Sequence, residues 1–238
     1  MLSKKVVKDI QSLGLKKHRE ESGLFVAEGP KIVEELLLVA PQQVVAIYAT
    51  EEWSKGKNYK YIETISSIEL EKISGLKTPN EVVAVLEQFE SAMPGGTSFT
   101  LYLDTLQDPG NFGTIIRIAD WFGVKDIVCS KGCADLYNPK VVQSTMASIA
   151  RVNVYYDEEE TWLSEQNEPV YAASLHGRSL AGFDKTSKGI LIIGNESKGI
   201  RKEFLQMASE LITIPKRGEA ESLNAAVATG IILSHLLG

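Results

Sequence analysis

Apolar and polar positions in the first ninety residues alternate between helical and strand periods. Residues 3–20 place apolar side chains at helical spacing among lysines and predict one basic helix. "LFVAEG" predicts a strand, and "PKIVEELLLVA" an amphipathic helix with proline at the favoured first position. "VVAIYAT" is an apolar β-branched strand. "SSIELEKISGL" reads as a helix with a serine cap and a glycine near its end, and "EVVAVLE" as a further strand. Strands alternating with helices predict a small α/β module. "ESAMPGGTS", rich in proline, glycine and small polar residues, then interrupts the pattern. We place an N-terminal domain at 1–92, a linker at 93–98 and a second domain at 99–238.

The second domain again alternates. "FTLYLDTL" predicts a strand, "DPGN" a turn, and "FGTIIRIADWFG" a helix ended by Gly123. "KDIVCS" and "RVNVYY" read as strands on either side of a helix in "NPKVVQSTMASI". "DEEETWLSEQN" predicts a helix with acids at its positive end, and "PVYAASL", "GILIIGNE" and "LITIP" three more strands. Short continuous apolar strands of this kind suit a parallel sheet covered on both faces. The last helix, "LNAAVATGII", is small on every side and has no polar face until Ser234 and His235. Such a helix must be covered all round, by other elements or by another subunit.

Composition narrows the classes. In 238 residues, 44% apolar and 24% charged, no apolar run approaches the roughly 20 residues needed to span a bilayer. No apolar signal core follows "MLSKKVVKDIQ", so the expectation is a cytoplasmic protein without membrane contact. Cys129 and Cys133 are the two cysteines, and His18, His176 and His235 are scattered. Four zinc ligands are not assembled by this set, which predicts reduced thiols and no metal. Residues 1–20 hold six cations against two acids, a local +4, so the remainder carries −10 of the net −6. A basic arm on an acidic body can still meet phosphate; a solvated amphipathic helix accounts for the same charges.

Familiar catalytic templates are missing. There is no G-x-G-x-x-G after a strand, no Walker loop, and "GNESKG" is not a G-x-S-x-G elbow. What stands out are three strand-to-loop junctions with glycines and polar residues: "LDTLQDPGNFGTIIRIAD", "ILIIGNESKGI" and "ITIPKRGEAESLNAAVATGI". Each alone has a plain structural reading. Arg117 could pair with Asp120 on the helix surface, Ser197 could close a turn, and Ser222 could cap the last helix. In open α/β sheets, however, ligands gather beyond the carboxyl ends of the strands, and three such ends form one candidate site.

These three motifs, in this order and spacing through residues 100–236, closely resemble those of the SpoU (TrmH) family of RNA ribose methyltransferases in the SPOUT superfamily. "LKKHREESGLFVAEGPKIVEELL" is similar to the substrate-binding module often fused to that family, and "NPKVVQSTMASIARVNV" more loosely to its intermediate segment. The resemblance implies an α/β fold: a parallel-sheet SPOUT domain with a deep trefoil knot, preceded by a small α/β RNA-binding domain. It also implies a homodimer, S-adenosyl-L-methionine as cofactor, and RNA as substrate, with ribosomal RNA favoured over transfer RNA. A knot wrapped by its own chain and a second subunit would cover the all-apolar helix.

By the same resemblance Arg117 occupies the catalytic arginine position, with Asn111 shaping the catalytic turn and Glu196 fixing the loops. Ser222 and Asn224 would position that arginine and the methionine end of the cofactor. Backbone groups at Leu175, Gly194, Ile214 and Leu223 would bind adenine and ribose. Arginine, with a pKa of about 12.5–13.8, is a poor base near neutrality, which favours a cation that holds a phosphate and stabilises the developing alkoxide. Lys216 and Arg217 add positive charge beside the third loop. Two other readings stay open: an RNA-binding assembly factor with a vestigial site, and a SPOUT enzyme that methylates a base nitrogen.

Overall fold

The computed structural model describes residues 1–95 and 98–238. Gly96 and Thr97, inside the expected linker 93–98, lie outside the described residues.

The first ninety residues form, in order, α1 (Lys4–Ser12), α2 (Lys16–Ser22), β1 (Leu24–Glu28), α3 (Pro30–Val39), β2 (Val44–Ala49), α4 (Glu51–Ser54), β3 (Ile62–Thr64), α5 (Ser67–Ile73) and β4 (Val82–Glu87). Next come β5 (Thr100–Leu103), α6 (Pro109–Trp121), β6 (Asp126–Ser130), α7 (Pro139–Thr145), β7 (Asn153–Asp157), β8 (Val170–Ser179), β9 (Ile190–Ile193), α8 (Lys202–Met207), β10 (Glu210–Thr213) and α9 (Ala225–Leu236). The chain groups into two compact units: Met1–Glu90 with Asp135–Ala150, and Ser91–Ala134 with Arg151–Gly238.

The first unit is built on a four-stranded sheet of order β1-β4-β2-β3, in which β2 and β3 run parallel and the other pairs antiparallel. Ile10, Leu13, Ile65, Leu70, Ile73, Val83 and Val85 form a core cluster here. The single basic helix expected over 3–20 is two helices. The break falls at Leu13–Leu15 around Gly14, where N–H groups turn back to Ile10 and Gln11 carbonyls. Arg19 does not belong to a solvated face. It is buried, donates to Leu13 O at 2.7 Å and pairs closely with Asp135. The serine cap expected near "SSIEL" is Ser66, which forms a reciprocal capping box with Glu69. The segment Asp135–Ala150 adds α7 against β1, and Tyr137 packs its ring 5.0 Å from that of Phe25. Helix α7 stops at Thr145, earlier than expected, because Met146 and Ala147 take positive φ of 48° and 72°.

The second unit contains the expected parallel sheet, six strands in the order β10-β8-β9-β5-β6-β7. Strands β5, β6 and β9 are apolar and buried on both faces, as a covered parallel sheet requires. Tyr102, Val128, Trp162, Ile190, Ile192 and Phe204 lie in one core cluster on this sheet. The helix expected over 157–167 does not form: after β7 the chain makes a turn and one short 3-10 segment, Trp162–Glu165. Asp157 takes the Thr161 and Trp162 N–H groups instead, and Glu160 adopts a φ of 55° that no helix continues. Helix α9 packs against α6. It buries Ala225, Ala226, Thr229, Ile232, Leu233 and Leu236, while Val227 and Ile231 remain 50% and 40% exposed. Among the described residues no helix is long and apolar enough to cross a membrane.

Candidate active site at the strand ends

Strand β5 has β6 on one side and β9 on the other, so the sheet order changes direction between β5 and β9. Such a switch point is where open parallel sheets leave a crevice at their carboxyl ends. The first junction follows β5. Asp108 caps α6, its carboxylate accepting from Asn111 N at 2.7 Å, and Pro109 supplies the first helical residue. "DPGN" is therefore the start of a helix and not a free turn; the Asp-Pro pair is the signal that identifies it.

The second junction follows β9. Gly194 approaches the backbone of Gly199 and Ile200 so closely that a Cβ there would collide with both. Asn195 and Gly199 exchange backbone hydrogen bonds at 3.0 and 2.9 Å and close the loop that carries Glu196. In the third, Asn224 is the N-cap of α9, its side-chain oxygen accepting from Ala226 N at 2.9 Å and Val227 N at 3.3 Å.

Three of the expected site residues meet directly. Asn111 Nδ2 donates to Glu196 Oε1 at 3.0 Å, and Asn224 Nδ2 donates to Asn111 Oδ1 at 2.7 Å. Glu196 also receives Asp108 N at 3.3 Å. Residues 85 and 113 positions apart are joined in this way, one from each motif. Arg117 lies six residues beyond Asn111, about 9 Å along α6. It is exposed and, among the described residues, its side chain has no hydrogen bond or ion pair. The surface pair with Asp120 does not form, since Asp120 bonds Arg151 at 2.7 Å.

Gly194 and Ile214 directly follow β9 and β10, and Leu175 lies where β8 departs from regular pairing with β10. Parallel strands put all three at one edge of the sheet. Ser222 and Leu223 occupy the exposed irregular stretch before α9. No hydrogen bond among the described residues ties Leu175, Ile214, Ser222 or Leu223 to the Asn111 cluster through a side chain. Next to Ile214, the Thr213 hydroxyl is buried and without a partner. The joined side chains are two neutral amides and one carboxylate, and Arg117, Lys198, Lys216 and Arg217 on the three motif segments are exposed cations.

Beneath it lies a charged cluster that the motifs alone do not mark. Asp104, fully buried at the end of β5, accepts from Arg201 Nε at 2.7 Å, and Arg201 forks onto Glu160. Glu160 first, and Asp104 with it, raise the Arg201 guanidinium above its ordinary range. Cys129 and Cys133 are free thiols, the former pushed up by burial. No cluster of metal-ligating residues exists among the described residues. A cavity lined by Phe99, Phe122, Val124, Lys185 and Leu236 opens at the opposite, amino-terminal edge of the strands and lies apart from these junctions.

Comparison with known proteins bears on the family and the fold. The profile of the SpoU rRNA Methylase family matches residues 98–234, and that of the MRM3-like substrate binding domain residues 4–84. The chain is 32% identical to 23S rRNA (guanosine(2553)-2'-O)-methyltransferase RlmP of Bacillus subtilis, over 98% of this chain and 96% of that protein. A TrmH-family structure from Porphyromonas gingivalis superposes with a TM-score of 0.87 at 34% identity, covering 99% and 98% of the two chains. An AdoMet-bound rRNA methyltransferase from Sinorhizobium meliloti gives 0.84 at 30% identity, covering 99% and 95%.

Proposed function

The chain belongs to the SpoU rRNA methylase family, and on that premise we propose that it is an S-adenosylmethionine-dependent RNA 2′-O-ribose methyltransferase acting on ribosomal RNA. The observation that carries the reading is the side-chain relay Glu196–Asn111–Asn224, which draws all three motif loops to one point at the switch of the sheet. Relatives that span most of the chain are named for 23S rRNA, which supports the ribosomal substrate.

The residues present fit the cofactor. A buried, unpartnered Thr213 hydroxyl stands beside Ile214, one of the positions expected to bind adenine and ribose. The cofactor supplies a methyl carbon on a positively charged sulfur. The protein's part is to seat the RNA, align the ribose oxygen behind that carbon, and manage the hydroxyl proton as the new C–O bond replaces the C–S bond. Arg117, exposed and unengaged, is free to hold an RNA phosphate and to stabilise the oxygen as it gains charge. The RNA phosphate assists removal of the proton in this scheme. Asn111 and Asn224 add neutral donors and acceptors that do not repel a sulfonium, and Glu196 orients Asn111. Lys216 and Arg217 contribute phosphate contacts at the rim.

The proposal extends to a cytoplasmic homodimer with a trefoil knot. The exposed apolar residues Trp121 on α6 and Val227 and Ile231 on α9 support a second subunit at that face. The return of α9 onto α6 from an edge strand is compatible with a threaded carboxyl-terminal segment. Transfer of radiolabel from S-adenosylmethionine to 23S rRNA, with 2′-O-methylnucleosides resolved by mass spectrometry, tests the reading. Label on a base nitrogen, or none on either ribosomal or transfer RNA, would refute it.

A further inference from the structure

The loop that carries Glu196 is fastened at both ends to two consecutive residues of the first motif. At its beginning Asn195 Nδ2 donates to Thr105 O at 2.8 Å, while its side-chain oxygen accepts from Ser197 N and Lys198 N at 2.9 and 3.1 Å. At its end Arg201 donates both its backbone N–H and its Nε to the Asp104 carboxylate, each at 2.7 Å. Asp104 is fully buried, and also accepts from Thr105 Oγ1 at 2.9 Å and Ser130 Oγ at 3.3 Å. The other arms of the guanidinium reach Glu160 at 3.0 and 2.6 Å, and Glu160 in turn accepts Lys131 N at 3.1 Å. The ends of β5, β6 and β7 are thereby joined to one arginine.

A buried ion pair is seldom net stabilising, because desolvation consumes most of the attraction. The arrangement secures geometry instead. Thr105, held at a φ of 53°, and Asp104 form one rigid corner, and the Asn195–Gly199 closure makes the intervening loop short and self-bonded. Glu196 then has little freedom except to face Asn111. A lysine at 201 could reach Asp104 or Glu160, but its single ammonium cannot bridge both with planar, directed bonds.

We propose that Asp104 and Arg201 are positioning residues, the far end of a two-point lock on the Asn195–Ile200 loop that aims Glu196 at Asn111 for methyl transfer. This rests on the methyltransferase reading. In Arg201→Lys the fork is lost with charge conserved, and kcat falls roughly tenfold to 100-fold, in line with a site displaced by a fraction of an ångström. The loss is not additive: Glu196→Gln combined with Arg201→Lys is no slower than Glu196→Gln alone within about threefold, because both act on the same contact. A second measurement needs no cofactor. Amide hydrogen exchange at Ser197, Lys198 and Gly199 rises at least tenfold in Arg201→Lys, and Asp104→Asn gives the same local pattern if the first variant folds poorly.

Unchanged exchange in both variants overturns the lock. So does raised exchange with kcat within twofold of the parent, or a fully additive double variant. Raised exchange in a protein that, unmutated, labels no RNA would refute the methyltransferase reading while leaving the lock of the loop standing.

Discussion

The side-chain amide of Asn224 donates to that of Asn111 at 2.7 Å, and the polarity of this bond is fixed from both sides. Asn224 must turn its oxygen to the first N–H groups of α9, which leaves its NH2 for Asn111. Asn111 must turn its own NH2 to the Glu196 carboxylate, an acceptor only, which leaves its oxygen for Asn224. Neither amide can flip without breaking at least two bonds.

Asn111→Asp replaces a donor with a second carboxylate facing Glu196. Methyl transfer should fall by roughly 100-fold, comparable to removing one aimed donor from a preorganised site. The partly exposed position should cost about 1 kcal/mol or less in urea unfolding. Equal loss in Asn111→Asp and Asn111→Ala would indicate that charge repulsion is not involved.

Asn224→Ala removes a helix cap as well as the link to Asn111. Stability should drop by about 1 kcal/mol. Asn224→Asp should retain the cap and restore that stability without restoring activity, because the donor to Asn111 is gone. Chemical denaturation alongside single-turnover assays separates the two effects.

Arg117 is exposed and makes no side-chain hydrogen bond or ion pair among the described residues, so Arg117→Ala should leave the melting temperature within about 2 °C, as surface changes do. Methyl transfer should still fall by several orders of magnitude. Arg117→Lys keeps the charge without the fork and should recover little turnover. Near-parental kcat in the lysine variant would contradict the assigned role.

The Glu69 carboxyl is held down to about 2 by the Ser66 N–H, with the Leu2 N–H next. A depressed folded value stabilises the protein above the ordinary carboxylate range near 4.3, and that contribution disappears as the pH falls through about 2. Glu69→Gln should therefore melt below the parent at pH 6, and the gap should narrow below the ordinary carboxylate range and close only below about pH 2. Thermal scans across that window check it.

Val227→Lys with Ile231→Lys places charges on the exposed face of α9. Sedimentation should show a dimer for the parent and a monomer for the variant, with the secondary structure intact. A variant still dimeric would move the subunit contact elsewhere.

Much of this was legible beforehand. Six apolar strands at parallel-sheet spacing, and three polar junctions at their ends, pointed to the sheet edge where Asn111, Glu196 and Asn224 now meet. The departures have physical causes, some local and some distant in sequence. "DEEETWLSEQN" has helical composition, but the Asp157 carboxylate captures the N–H groups a helix would need. "MLSKKVVKDIQSLGLKKHRE" carries one continuous amphipathic pattern, yet Arg19 is drawn inward by Asp135, more than a hundred residues away. No local pattern announces a partner at that distance. The same limit hid Arg201, whose acidic neighbours at 104 and 160 assemble only once β5 and β7 lie in one sheet.

The grouping of Asp135–Ala150 with the first ninety residues bears on how this molecule can be dissected. A fragment cut at residue 92 would be born without the piece that carries Tyr137 and α7, leaving Phe25 short of a ring and Arg19 of its counter-ion. Three severings and a splice, not one scission, are needed to free that unit. Any attempt to graft it onto another catalytic partner would have to carry the inserted stretch along.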